Sequence, residues 1–209
     1  MKKESEEFTA GKKLPLAEEF FSIQGEGFHA GKAAFFIRLG GCDIGCNWCD
    51  SRFTWNADIH PPARTDDLIK SAVDSGTDSV VVTGGEPLTW NLDYLCNGLK
   101  KNGISTYLET SGAYPLSGTW DWICLSPKRN MPPLKEICKV ADELKIIIED
   151  RNDFIWAEKY RKTVGRKCRL FLQPEWSRFD KVIADIVDYV SKNNCWRISL
   201  QIHKYMHIP

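Results

Sequence analysis

The chain has 209 residues, and its 28 lysines and arginines balance its 28 aspartates and glutamates. It is therefore long enough to bury one sizeable core and has no net charge to draw it to nucleic acid. No apolar run is long enough to span a bilayer, and the N-terminal Met-Lys-Lys-Glu-Ser-Glu-Glu lacks the apolar centre of a signal peptide. These features predict one domain over residues 1–209, a cytoplasmic location, a small-molecule partner, no nucleic acid and no membrane. In that compartment the eight cysteines stay reduced.

In chain order, the first predicted strand, Glu19–Ile23, runs into Gln24-Gly25-Glu26-Gly27. The second, Ala33–Leu39, is apolar except for Arg38. Gly40-Gly41-Cys42-Asp43-Ile44-Gly45-Cys46-Asn47-Trp48-Cys49-Asp50 follows directly. Three cysteines separated by gaps of three and two residues gather soft thiolates on a glycine-relaxed loop, as an iron–sulfur cluster requires. With only three protein ligands, a four-iron cluster keeps one iron open to a small molecule. The competing readings are zinc or three buried thiols. Zinc needs a fourth close ligand, and the nearest downstream candidate, His60, precedes Pro61 and Pro62 in a polar loop. Cys96, Cys124, Cys138, Cys168 and Cys195 are scattered and read as small core residues.

Next comes a helix with Thr65 as N-cap, leading to Ser75-Gly76, then strand Ser79–Thr83 and a helix from about Asn91 to Asn102, closed by Gly103. Strands Ser105–Glu109 and Trp122–Leu125 follow. The stretch Ser126–Lys139 contains three prolines and predicts a crossover without a helix. Strand Glu143–Ile148, helix Asp153–Val164, strand Arg169–Gln173, helix Phe179–Asn193 and strand Arg197–Gln201 complete the chain. In the last helix Val182, Ile183, Ile186, Val187 and Val190 form one apolar stripe for the core. Alternating strands and helices predict an α/β fold, an incomplete parallel (β/α) barrel. In such barrels chemistry sits where strands end. Four strands lead into Gly84-Gly85-Glu86-Pro87, Thr110-Ser111-Gly112, Ser126-Pro127-Lys128 and Pro174-Glu175.

The three-cysteine spacing, with Trp48 just before the last cysteine, resembles the radical S-adenosylmethionine superfamily. The resemblance implies a barrel of that type and a 4Fe-4S cluster on Cys42, Cys46 and Cys49. It also implies S-adenosylmethionine held by Trp48, Cys49, Asp50, Gly85, Glu86, Ser126, Pro127, Lys128, Gln173, Pro174, Glu175 and Trp176. The glycines after Thr83 are expected to let backbone groups approach the ligand's amino group, with Glu86 in support.

Phe21-Ser22-Ile23-Gln24-Gly25-Glu26-Gly27, Phe36-Ile37-Arg38-Leu39-Gly40-Gly41-Cys42, Cys49-Asp50-Ser51-Arg52-Phe53-Thr54-Trp55 and Gln201-Ile202-His203-Lys204 closely resemble the 7-carboxy-7-deazaguanine synthase family. That family contracts the ring of 6-carboxy-5,6,7,8-tetrahydropterin with loss of ammonia, in queuosine and deazapurine biosynthesis. The resemblance implies that Ile23, Gln24, Gly25, Glu26, Arg38, Thr83, His203 and Pro209 bind the substrate. Arg38 is suited to its carboxylate, because a guanidinium fork holds two oxygens at once. The resemblance further implies Mg2+ on the Ser51 hydroxyl, a terminal carboxylate that reaches the pocket from Pro209, a flavodoxin- or ferredoxin-like reductant and a homodimer. A radical activase for a partner protein and a non-catalytic metal module are the competing functions; neither predicts Gln24-Gly25-Glu26-Gly27.

Overall fold

The computed structural model describes residues 2–209; Met1, which opens the polar N-terminal segment, lies outside the described residues. Helix α1 (Lys2–Thr9) precedes the hairpin of β1 (Lys13–Ile23) and β2 (Ala33–Leu39). After the cysteine loop come β3 (Pro62–Arg64), α2 (Thr65–Asp74), β4 (Ser79–Gly84), α3 (Asp93–Lys101) and β5 (Ser105–Thr110). Then follow β6 (Trp122–Leu125), α4 (Lys135–Val140), β7 (Glu143–Ile148), α5 (Asp153–Arg161), β8 (Arg169–Pro174), α6 (Phe179–Lys192), β9 (Trp196–Ile198) and α7 (Ile202–Met206).

The nine strands form one sheet in the order β3-β1-β2-β4-β5-β6-β7-β8-β9. From β2 to β9 every pairing is parallel, while β1 runs antiparallel to both β2 and β3. The sheet does not close, as an incomplete barrel requires. The antiparallel β3-β1 edge is an addition to the expected all-parallel sheet.

Period-two alternation separates the two faces. Val80 and Val82 join the core under the helices, whereas Val81 packs inward with Ala34 and Phe36. Likewise Leu144, Ile146 and Ile148 face the helices, which leaves Glu143, Lys145 and Ile147 for the interior. The β1–β2 loop spans the bottom of the open barrel. Gly27 N donates to Ser199 Oγ at 2.9 Å and Phe28 N to Glu143 Oε2 at 3.1 Å. At Gly27 φ is +65°, and a Cβ would stand 2.0 Å from Glu143 Oε1. Glycine takes that φ without strain, and any larger residue would have to displace the Glu143 carboxylate.

Four local expectations are corrected. A short helix, α4, forms after all, because all three prolines precede it and none sits inside. Helix α2 begins at Thr65 itself with Arg64 at the cap position, and the Thr65 hydroxyl donates instead to the Gly11 carbonyl at 2.7 Å. Within α6 only Val182 and Ile186 are fully buried, and Val187 is 49% exposed at the edge of the stripe. Among the scattered cysteines, Cys96, Cys124 and Cys138 are buried, but Cys168 is half-buried and Cys195 exposed.

Candidate functional site

One cavity of about 450 Å³ opens at the carboxyl ends of the parallel strands. Every residue expected at the site lines it except Pro127, which sits between two lining residues, Ser126 and Lys128. Cys42, Cys46 and Cys49 form one wall, all half-buried and unpaired. Burial pushes the Cys42 and Cys46 thiols up, so a bound metal must displace their protons. Trp55 Nε1 donates to Cys49 Sγ at 3.3 Å, the kind of hydrogen bond that tunes a cluster's potential. Among the described residues no three histidine, cysteine or acidic side chains converge on a single ion. A cubane instead spreads its ligands over separate irons, so three spaced thiols fit it. His60, the nearest candidate for a zinc ligand, has its Nε2 2.8 Å from the Phe53 carbonyl and does not line the cavity.

The Gly84-Gly85 turn has a structural reason of its own. A Cβ on Gly84 would lie 2.2 Å from the Leu39 carbonyl oxygen, and one on Gly85 2.3 Å from that of Gly41. The glycines make room for the cluster loop's own backbone. The turn is then bound to that loop by Gly85 N to Leu39 O at 2.9 Å and Glu86 N to Gly41 O at 2.8 Å. Glu86, 1% exposed, anchors the other side: it accepts from Leu88 N at 3.1 Å, Thr110 Oγ1 at 2.6 Å, Ser111 N at 2.8 Å and the Ser111 hydroxyl. Its carboxylate thus supports the wall by tying β4 to β5.

Further round the rim, Lys128 Nζ donates to Ser126 Oγ at 2.7 Å and lies 5.0 Å from the Trp48 ring centroid. Gln173 is buried and accepts from Ser199 Oγ at 2.7 Å. The Glu175 side chain caps the next turn, accepting from Ser177 N at 3.1 Å. Trp176 stands at the mouth, 5.0 Å below the Lys204 ammonium.

Opposite the thiols, the floor is polar. Gln24 Nε2 donates to Glu109 Oε1 at 3.0 Å, while its carbonyl accepts from Glu26 N at 3.1 Å. Glu26 pairs with the Lys145 ammonium and accepts from Gln201 Nε2 at 2.8 Å. Burial pushes the Glu26 carboxyl up, but the Lys145 charge and the hydrogen bonds bring it below its ordinary range. Lys145 also lies 3.4 Å from Glu109 Oε2, and Gln201 carries the network on to Asp50 at 3.4 Å and Lys204 at 3.1 Å; of Glu109, Lys145, Gln201, Lys204 and Asp50, only Asp50 was among the expected site residues. The missed signal is a lone lysine inside the apolar strand Glu143–Ile148, on the inward face.

Arg38 Nε pairs with Glu18 Oε2 at 2.9 Å, and its Nη1 lies 3.5 Å from Ser51 Oγ. Ser51 in turn donates to Asp50 Oδ1 at 3.2 Å, while its backbone carbonyl, not its hydroxyl, holds the following turn. The hydroxyl is therefore not used as a cap. Asp50 Oδ2 takes the Lys204 ammonium at 3.0 Å. Gly25 lies beneath His203, where a Cβ would meet Nδ1 at 2.1 Å, and its carbonyl accepts from Ile202 N at 2.9 Å. Burial holds the His203 imidazole below its ordinary range. His207 adopts φ +56°, turning the chain back so that Pro209 accepts from Ser22 Oγ at 3.2 Å and lines the cavity.

The profile of the Radical SAM superfamily matches residues 36–170. The 7-carboxy-7-deazaguanine synthase of Flavobacterium psychrophilum is 52% identical over 199 residues, covering 95% of this chain and 94% of the relative. That of Synechocystis sp. is 47% identical, covering 93% of each chain, and that of Escherichia coli 34%, covering 93% and 98%. The crystal structure of QueE from Escherichia coli superposes with a TM-score of 0.82 at 31% identity, over 94% of this chain and 97% of that one.

Proposed function

The chain belongs to the 7-carboxy-7-deazaguanine synthase family of the radical S-adenosylmethionine superfamily, and from that premise we propose a role for each wall of its cavity. The enzyme is a carbon–nitrogen lyase that contracts 6-carboxy-5,6,7,8-tetrahydropterin to 7-carboxy-7-deazaguanine with release of ammonia, in queuosine and deazapurine biosynthesis. The 4Fe-4S cluster and S-adenosylmethionine of the superfamily, when bound, supply the one-electron cleavage that starts the reaction.

In this reading Cys42, Cys46 and Cys49 hold the cluster, while Trp48, Asp50, Gly85, Glu86, Ser126, Lys128, Gln173, Pro174, Glu175 and Trp176 surround S-adenosylmethionine. Pro127 acts indirectly by fixing the turn between Ser126 and Lys128. The substrate lies on Ile23, Gln24, Gly25 and Glu26, with Thr83 and His203 at its sides. Its carboxylate takes the Nη atoms of Arg38, whose Nε is held by Glu18. Ser51 offers Mg2+ a hard oxygen beside the Asp50 carboxylate, 3.2 Å away. Magnesium prefers to keep water or substrate oxygens, so this site is completed by the substrate. Pro209 closes the pocket from the other side.

Residues 1–209 are read as a single domain, supported by the one continuous sheet. Eight free cysteines support a reducing cytoplasmic setting. The family resemblance supports a flavodoxin- or ferredoxin-like reductant and a homodimer.

The observation that carries the reading is the single cavity joining the three thiols to the Gln24–Glu26 floor and Arg38. The test is anaerobic turnover with S-adenosylmethionine, reductant, Mg2+ and 6-carboxytetrahydropterin. 7-Carboxy-7-deazaguanine and ammonia are expected in equal amounts. Cleavage of S-adenosylmethionine without that product, alongside a glycyl radical raised on a partner protein, would contradict it.

A further inference from the structure

Lys145 is 4% exposed and projects from the middle of β7 into the cavity floor. Its ammonium pairs with Glu26 and lies 3.4 Å from Glu109 Oε2. Gln24 ties the Glu109 carboxylate to the backbone of Glu26, donating to Glu109 Oε1 at 3.0 Å and accepting from the Glu26 N–H at 3.1 Å. Gln201 donates to the far oxygen of Glu26 at 2.8 Å. Every one of these side chains lines the cavity. Two carboxylates in one sheltered site repel, and without a cation one of them takes up a proton, which turns one of its oxygens into a donor.

We propose that Lys145 is a positioning residue for the substrate, holding Glu26 and Glu109 side by side as ionised acceptors for the N–H edge of the pterin ring. The proposal rests on the reading of the floor as the substrate end of the cavity. The other charged or titratable groups facing this cluster are Glu143 from the same strand, Cys124 from β6, Lys128 from the rim, His203 from α7 and, through Gln201, Asp50 and Lys204. Burial would lower the Lys145 ammonium, but Glu109 and Glu26 outweigh it and hold it well above its ordinary range.

The experiment uses reconstituted holoenzyme with S-adenosylmethionine bound, and follows 6-carboxytetrahydropterin affinity and kcat/KM between about pH 5 and pH 9, across the range where a raised carboxyl titrates. In Lys145→Met the acidic limb of both curves is expected to move up by about one pH unit or more, with affinity at the acid end reduced about tenfold. Lys145→Arg keeps a cation and is expected to keep the wild-type limb even if its kcat falls. Lys145→Gln, which retains a donor without charge, is the second arm: its limb must move like that of Lys145→Met. A wild-type limb in either neutral variant, whatever the loss of affinity or stability, would show that Lys145 serves the fold alone. Loss of S-adenosylmethionine affinity in step with pterin affinity would overturn the floor assignment itself, a result that pH profiles do not mimic.

Discussion

Glu86 accepts four hydrogen bonds with its two carboxylate oxygens, from Leu88, Thr110 and, twice, Ser111. Replacing one oxygen by an NH2 group sets a donor against a donor. Glu86→Gln is therefore expected to cost about 1–3 kcal/mol of stability, read as a lower unfolding temperature of the metal-free protein. Normal stability with a selective loss of S-adenosylmethionine affinity would show a ligand-binding role in place of an anchoring one. The sequence marked this residue through the Gly-Gly-Glu-Pro turn but not its partners, because Ser111 lies 25 positions away and nothing local pairs them. Ser51 was legible because its position beside the cluster loop is fixed by the motif. With its hydroxyl not used as a cap, Ser51→Ala is expected to blunt magnesium stimulation of turnover, with S-adenosylmethionine cleavage intact. An equal magnesium response in wild type and variant would exclude the hydroxyl as a ligand.

Strand β1 shows how an element sets a side chain. Pairing is regular from Glu18↔Arg38 to Ile23↔Ala33, but the register shifts between Leu16 and Glu18. Without that irregularity Ala17 would stand opposite Arg38. The bulge places Glu18 there, on the same face as the guanidinium, where it takes Nε and leaves the outer nitrogens for the cavity. Glu18→Ala removes a half-exposed ion pair, expected to cost no more than about 1 kcal/mol of stability. Its larger effect is expected on pterin affinity, weakened severalfold as Arg38 loses its anchor; an unchanged affinity would show that Arg38 needs none. Periodicity identified only Glu19–Ile23 of this strand, since Pro15 and the bulge interrupt alternation before it. The central parallel strands were legible as β-branched, apolar runs, carried mainly by the positions under the helices. Lys145 escaped notice for the same reason, as a single lysine inside a strand read as core.

At the scale of the molecule, the order of parallel strands followed from alternating elements, whereas the closing of the barrel floor did not. Gly27 reaches Ser199 across 172 positions and Phe28 reaches Glu143 across 115. Contacts of that separation leave no periodic trace. Two imidazoles are half-buried in the fold: burial and the Lys32 charge hold His29 below its ordinary range, and burial does the same to His203. In the unfolded chain both take up protons first as pH falls, so the unfolded state binds more protons and stability drops on acidification through the histidine range. His203→Gln is expected to lose less stability than wild type between about pH 7.5 and 5.5. A steeper loss in the variant would reverse that sign. The proposed function divides one cavity into a substrate floor and a cluster wall. Separate anaerobic titrations of Arg38→Met holoenzyme with each ligand test it most directly. Leaving the substrate carboxylate unpaired is expected to weaken pterin binding by about 1–3 kcal/mol while S-adenosylmethionine binds as in wild type; an unchanged pterin affinity, or an equal loss of both ligands, would contradict it.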